Sequence, residues 1–356
     1  MGSNNSSDLM EFVSSFGGGD GLRVEETLGN GYVRLRISEA ERRQAKHDIR
    51  CVEDAVIELL RNARDAGARN IFVASGRDGD VRSVYVIDDG SGIPASMHER
   101  VFDARVTSKL DSVHMDHWGI HGRGMALYSI RQNALDARIV LSKSGIGTSI
   151  VASFDVNAVG ERADQSSWPT ATATAEGTDV RGPKNIARAC VEFGLEERGG
   201  CKVYYGSTSE IIATMYRRMQ PSLLSIEAHA ASNDDEIPLV ERPALCNDAR
   251  TLRETASALG IEMSERTAHR IIRGQIVPVQ NVCARVLGAS PASTTKVFDD
   301  RRSLRLSEQD RMAFRDALEQ DFNELAQRYY AIQTEEPRIR VGKGYVQVTF
   351  YYSDDL

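Results

Sequence analysis

Glu58, Asn62 and Asp65 stand in the run AVIELLRNARDAGARNIFVAS at offsets of four and seven. On a helix those offsets bring the three side chains to one face. Val52, Val56, Leu59, Leu60 and Ala63 form an apolar stripe away from that face. The helix therefore has a core-facing side that does not need the polar row. A carboxylate can activate a water and an amide oxygen can hold a hard cation. A solvated polar face would show the same row.

Three further stretches carry chemistry. Val81–Gly92, VRSVYVIDDGSG, reads as a strand through Val84, Val86 and Ile87 that ends at Asp88-Asp89-Gly90-Ser91-Gly92. Glycines after an acid let the chain turn tightly and a flat ring approach, and Asp88 can accept a hydrogen bond from an exocyclic amine. An ordinary strand-ending turn has the same letters. Thr107-Ser108-Lys109 comes next, then HWGIHGRGMALYSI, in which Gly119, Gly122 and Gly124 precede Met125, Ala126, Leu127 and Ile130 at helical spacing. Glycines that open a helix expose backbone N–H groups at its positive end, an anion site to which Lys109 and Arg123 add charge. Last, Ala137–Leu141 and Thr148–Phe154 read as strands joined by SKSGIG, with Gly147-Thr148 at the start of the second.

Taken in order, ExxxNxxDA, DDGSG, GxHGxG and GT resemble the GHKL ATPase superfamily: gyrase-type topoisomerases, heat-shock chaperones, histidine kinases and MutL mismatch-repair proteins. NARDAGARNI, Thr-Ser-Lys and RGMALYSI look most like MutL, and GIHGRG is closer to the gyrase form. The resemblance covers about residues 31–155. It implies a Bergerat-fold, left-handed-crossover sandwich in which helices cover a mixed sheet and ATP lies between them. By the same resemblance Glu58 is the general base, Asn62 the Mg²⁺ ligand and Asp88 the reader of the adenine amine. Gly90 and Gly92 shape the adenine pocket and Thr148 backs Asp88. Thr107, Lys109, Gly119, His121, Gly122, Arg123 and Gly124 belong to the lid and phosphate region. Asp65 matches the motif in a role that is either structural or nucleotide-binding. Kinases of this superfamily usually lack a glutamate that makes water the acceptor, so Glu58 favours hydrolysis.

The chain has 356 residues, 41% hydrophobic and 27% charged, as in an ordinary globular protein of two or three domains. No apolar run nears the roughly 20 residues that span a membrane, and Met1–Asp8 does not look like a signal peptide. The five cysteines are scattered and lack CxxC spacing, which argues against zinc and disulfides and for a cytoplasmic setting. His114, Asp116, His117 and His121 have spacings that suit a metal on one helix face, but the glycines around them favour a phosphate lid. Net charge is −7, so the whole chain is no generic polyanion binder. Residues 249–315 nevertheless carry twelve Arg or Lys against seven Asp or Glu.

The expected architecture is α+β in five parts. Residues 1–30 form a mobile N-terminal segment, and 31–155 the ATP-binding domain. Residues 156–245 form a second small α/β domain of transducer type. Residues 246–334 form a mostly helical region, and 335–356 a C-terminal hairpin. Gly31–Ile37 reads as a strand, and Ser38–Arg50 as a helix with a Ser cap. Val156–Gly177 reads as an edge connection. GPKNIARACVEFGL reads as a helix, CKVYYGS as a strand and Ser207–Met219 as a capped helix. Relatives supply a lysine to the γ-phosphate from the second domain; Lys184 and Lys202 are the two choices. RTLRETASALGIEMSERTAHRIIR resembles a helix-turn-helix that would offer Arg266, His269, Arg270 and Arg273 to DNA. Its turn, Gly260–Met263, is longer than usual, and a helical hairpin packing on its own domain fits as well. Ser307–Gln333 reads as a long helix with Leu318, Phe322, Leu325 and Tyr329 in one stripe.

Three functions compete on these residues. The first is an Mg²⁺-dependent ATPase switch that dimerises or rotates on ATP binding, with DNA or a DNA-bound protein as partner and no membrane. The second is a nucleotide-gated helix-turn-helix transcriptional regulator. The third is a GHKL protein kinase, which Glu58 speaks against.

Overall fold

The computed structural model describes residues 24–108, 114–116, 119–121, 124–174, 177–196, 200–219, 221–231, 233–287, 318–319, 322–323, 331–342 and 345–354. In chain order the first elements are β1 (Val24–Gly29), β2 (Tyr32–Leu35), α1 (Glu39–Asp48), α2 (Val52–Asp65), β3 (Asn70–Asp78) and β4 (Val81–Asp88). There follow β5 (Val106–Thr107), β6 (His114–Asp116), β7 (Gly119–His121), α3 (Ala126–Asn133), β8 (Asp136–Lys143) and β9 (Gly147–Asp155). Next come β10 (Thr170–Thr174), β11 (Gly177–Arg181), α4 (Ile186–Leu195), β12 (Lys202–Gly206), α5 (Thr208–Arg218) and α6 (Leu223–Ala230). The last are α7 (Arg242–Leu245), α8 (Ala249–Ala258), α9 (Glu265–Ile272), α10 (Val282–Val286), β13 (Ala331–Gly342) and β14 (Tyr345–Asp354). The chain divides into two compact units, Met1–Ala289 and Ser290–Leu356.

The first unit is α+β, built on a mixed five-stranded sheet in the order β12-β3-β4-β9-β8. Only the β12–β3 pair is parallel; the other three are antiparallel. Strand alternation gives the sheet two apolar faces. Ile71 and Val73 pack with Val56, Leu59 and Leu60 of α2, while Phe72 and Ala74 pack with Ile211 and Ile212 of α5 and Leu252 and Leu259 around α8. Each fully buried Leu or Val contributes about 1.5–3 kcal/mol, so α2 is fixed by its stripe. The segment expected as a second domain adds β12 to the free edge of β3, Val203 opposite Ile71. Segments 31–155, 156–245 and 246–289 share one compact unit.

Local chemistry explains the boundaries. Ser38 and Glu41 form a capping box on α1, and Ser207 and Glu210 form one on α5. Ser264 caps α9 through the Thr267 N–H at 3.1 Å. Glu53, buried at the start of α2, accepts from the Arg162 N–H at 3.0 Å and the Gln165 amide at 2.7 Å. These bonds tie the loop after β9 to the helix. The stretch expected as an edge connection ends in a hairpin of β10 on β11. Its polar Thr-Ala alternation hides a strand in a sequence that reads like a linker.

In the second unit β13 and β14 pair antiparallel, as the hairpin reading expects. The expected helix Ser307–Gln333 does not reach its end: Ala331, Ile332 and Gln333 pair with Asp354, Ser353 and Tyr352. Residues 318–319 and 322–323 are helical, and the rest of that stretch lies outside the described residues.

Candidate functional site

Between α2 and the sheet lies a cavity of about 620 Å³. Four stretches distant in sequence meet there. Glu58, Asn62 and Asp65 line it from α2, and Asp88 and Gly92 from the end of β4. Thr107 and Gly124 line it from the loop side, and Thr148 from β9. Gly90 sits behind Asp88 and donates its N–H to Asp88 Oδ1 at 2.8 Å.

At the sheet end the arrangement is rigid. Asp88 is paired with Thr148 across the β4–β9 ladder. Ser142 Oγ bonds Thr148 Oγ1 at 3.0 Å, donates to the Gly147 carbonyl at 2.9 Å and accepts the Ile93 N–H at 2.7 Å. Gly92 has φ +71°, and a Cβ there would lie 1.9 Å from the Lys143 carbonyl oxygen. Only glycine passes that crossing. The two neighbouring acids divide their labour. Asp89 binds the backbone N–H groups of Arg69 and Asn70 at 2.7 and 2.8 Å and so pins the turn into β3, which leaves Asp88 to face the cavity.

The α2 wall carries a residue that the sequence reading passed over. Arg61 lines the cavity at i+3 from Glu58, is buried, and forms an ion pair with the Glu58 carboxylate. The pair fixes the direction of the carboxylate. Spacing alone puts Arg61 on this face, but an arginine in a polar row reads as a solvated charge.

The rest of the lining is unlike the sheet end. Asn62 Nδ2, Arg105 Nε and Ser129 Oγ are buried without hydrogen-bond partners, and all three residues line the cavity. Buried unpaired polar atoms are rare in folded proteins and point to a ligand that completes them. The lining is also acidic among the described residues. Glu41, Asp48, Asp54, Glu58, Asp65 and Asp88 face Arg50, Arg61, Arg105 and Arg162. Burial pushes the Tyr32 phenol on the same wall upward, opposed by its bond to Ser108.

The remaining expected residues fall as follows. Gly119 and His121 belong to β7, which pairs with β6, so Gly119 lies in a strand rather than at the opening of α3. The histidine spacing that suits a helix face is likewise on strands, His114 opposite His121. Lys109, Gly122 and Arg123 lie outside the described residues. Lys184 and Lys202 are exposed and do not line the cavity. Arg266, His269, Arg270 and Arg273 are all exposed on and just after α9, away from the cavity lining. The five cysteines are free, and burial raises the Cys51 thiol to about 12. No described helix is long and apolar enough to cross a membrane.

Residues 49–184 match the family described as "Histidine kinase-, DNA gyrase B-, and HSP90-like ATPase". With the mixed sheet, the covering helices and the cavity between them, this segment is similar to the nucleotide-binding domains of the GHKL ATPase class. Within that class it is MutL-like. It is 43% identical over 86 residues to the DNA mismatch repair protein MutL of Thermus thermophilus, covering 23% of this chain and 15% of that protein. The MutL of Thermus aquaticus is 44% identical over 84 residues, with the same coverage. The MutL of Staphylococcus aureus (strain N315) is 37% identical over 99 residues, covering 27% of this chain and 15% of the relative. The chain thus spans only 15% of the length of each of these relatives.

Proposed function

We propose that the cavity binds ATP with Mg²⁺ and hydrolyses it, and that the cycle works as a conformational switch. The observation that carries this reading is the convergence of four sequence-distant motifs on one cavity of about 620 Å³. That volume suits a nucleotide.

Asp88 accepts the adenine amine, with Thr148 behind it. Glu58 takes a proton from a water as the water oxygen bonds the γ-phosphorus. The bond to the β–γ bridging oxygen breaks, and ADP leaves with that electron pair. Arg61 holds the Glu58 carboxylate in one direction. The chemistry needs little more, because phosphoryl transfer is mainly positioning and charge stabilisation.

The residues fit Mg²⁺. Asn62 Nδ2 is buried without a partner; with the amide turned about its last bond, the oxygen would stand in that place and could hold a cation. Among the described residues no group of three or more His, Cys, Asp or Glu could hold a metal by itself. This suits an ion held by one side chain, phosphate oxygens and waters. When bound, Mg²⁺ would neutralise charge on the phosphates, which the acidic lining would otherwise repel.

Phosphate release from ATP with Mg²⁺, for the parent and Glu58→Ala in parallel, tests the reading. The variant is expected to bind ATP and lose release by about 10²–10⁴-fold. Unchanged turnover removes Glu58 from the mechanism. Labelled phosphate on a protein instead of in solution would favour the kinase.

A partner reading rests on a separate observation, the exposed basic row Arg266, His269, Arg270 and Arg273. We propose duplex DNA, or a protein on it, as the partner, with ATP-driven dimerisation bringing two such rows together. A switch of this kind feels phosphates and salt, whereas a nucleotide-gated regulator prefers one duplex sequence. Release assays with and without duplex DNA, over several sequences, separate the two.

A further inference from the structure

We infer that Arg105 is the cation that reads the terminal phosphates of the nucleotide, and that Glu41 of α1 competes with those phosphates for it. The inference rests on the ATP reading above and names the residue that distinguishes a triphosphate from a diphosphate.

Arg105 lines the cavity beside Thr107, Ser108 and Gly124. A Cβ on Gly124 would lie 3.0 Å from the Val106 carbonyl oxygen and 3.2 Å from the Arg105 carbonyl carbon. The end of the glycine-rich stretch therefore rests on the Arg105 backbone. That places Arg105 beside Gly124 and Thr107 on the cavity lining.

Its own conformation is unusual. Arg105 has φ +61°, in the left-handed region that a non-glycine residue seldom adopts. The surroundings impose it. The Arg105 carbonyl accepts the Leu35 N–H at 3.0 Å, and Val106 immediately pairs with Arg34 in the β2–β5 ladder. Such strain persists where the neighbours over-determine it, commonly at ligand clamps. The side chain is only 7% exposed, and its Nε has no partner. A buried guanidinium with an unused donor is half of a phosphate contact.

The other half of its bonding is an ion pair with Glu41 Oε1. Glu41 serves two elements at once. Its Oε2 accepts from Ser38 N at 2.9 Å and from Ser38 Oγ at 3.1 Å, closing the capping box of α1. The Ser38 backbone bond first, and the Arg105 guanidinium after it, hold the Glu41 carboxyl below the usual range. Glu41 is thus ionised at neutral pH and competes with a phosphate for Arg105. The cap leaves Oε1 free to let go.

The other described cations on the lining are committed elsewhere. Arg61 pairs with Glu58, and Arg162 with Asp54 at 2.6 Å. Arg50 is exposed, and its Nε donates to the His47 carbonyl at 3.4 Å.

The experiment is calorimetric titration of ATP and of ADP, each with Mg²⁺, into the parent, Arg105→Gln, Arg105→Lys and Glu41→Gln. Circular dichroism confirms that each variant is folded. Arg105→Gln is expected to weaken ATP about tenfold or more and ADP by less than about threefold. Arg105→Lys recovers part of the loss. Glu41→Gln keeps the cap, because Gln also closes a capping box, and tightens ATP by about threefold. The opposite signs of the two variants are the signature, since a purely structural ion pair makes both changes harmful. Equal effects on ATP and ADP, or a weakening by Glu41→Gln, overturns the inference. Should Arg105→Gln fail to fold, Arg105→Lys and Glu41→Gln carry the same opposed prediction. A parent that binds no ATP overturns this and the ATP reading together, whereas a parent that binds ATP beside an unaffected Arg105→Gln overturns this alone.

Discussion

At the sheet end of the cavity the polar atoms of Ser142 and Asp88 are bonded to protein. Ser142 makes three bonds there, Asp88 takes the Gly90 N–H, and Gly92 crosses under the Lys143 carbonyl. Along the rest of the lining Asn62 on α2, Arg105 before β5 and Ser129 on α3 each keep a buried polar atom without a partner. In the proposed ATP reading the sheet end is a finished mould for a flat base, and the rest of the lining is completed by what it binds. The difference follows from where stability is needed. A rigid mould costs no reorganisation on binding, while in the proposed reading the unpaired groups would make a bound nucleotide part of the local structure.

The contrast can be broken most forcefully at Gly92. Gly92→Val puts a side chain on the Lys143 carbonyl and strains a positive φ. We expect the nucleotide-free protein to lose about 3 kcal/mol or more. A thermal melt that matches the parent would show that the sheet end is not rigid. Asp88→Asn comes next. It is expected to weaken ATP by about tenfold to a hundredfold, the range of a hydrogen bond to a charged group, and to narrow the preference for ATP over GTP. Equal affinity in the two proteins would place the adenine elsewhere.

Ser129→Ala sharpens the comparison from the rest of the lining. Removing an unpaired buried hydroxyl should leave the nucleotide-free protein as stable as the parent, or up to about 1 kcal/mol more so. The extra melting temperature conferred by saturating Mg²⁺ and ATP should shrink. A variant destabilised without nucleotide would mean that the hydroxyl is already in use. The smallest effect belongs to Arg270→Ala, which touches neither part. It should leave ATP binding unchanged and lower the salt slope of any DNA affinity by about one, in a salt-titrated binding assay.

Much of this was legible in the chain. The polar row of α2 and the stripe behind it follow from offsets that fix a helix face. The Ser caps of α1, α5 and α9 and the β13–β14 hairpin were likewise readable. The glycine stretch was read less well, since Gly119 belongs to a strand and the helix opens only after Gly124. The polar hairpin of β10 and β11 looked like a connection. Lys184 and Lys202 suited a phosphate by charge, but neither reaches the cavity.

The sequence by itself determined the elements and which residues share a face, because helical and strand periods are local properties of the backbone. It also determined the order of motifs that marks a GHKL nucleotide domain. Only the tertiary structure decided which faces meet. It set Arg61 on Glu58 and added β12 to the edge of β3. It brought Glu41 to Arg105 across 64 positions and left three polar atoms of the cavity lining buried without partners. Burial and pairing between distant segments arise only when the chain closes on itself, and no local period encodes them.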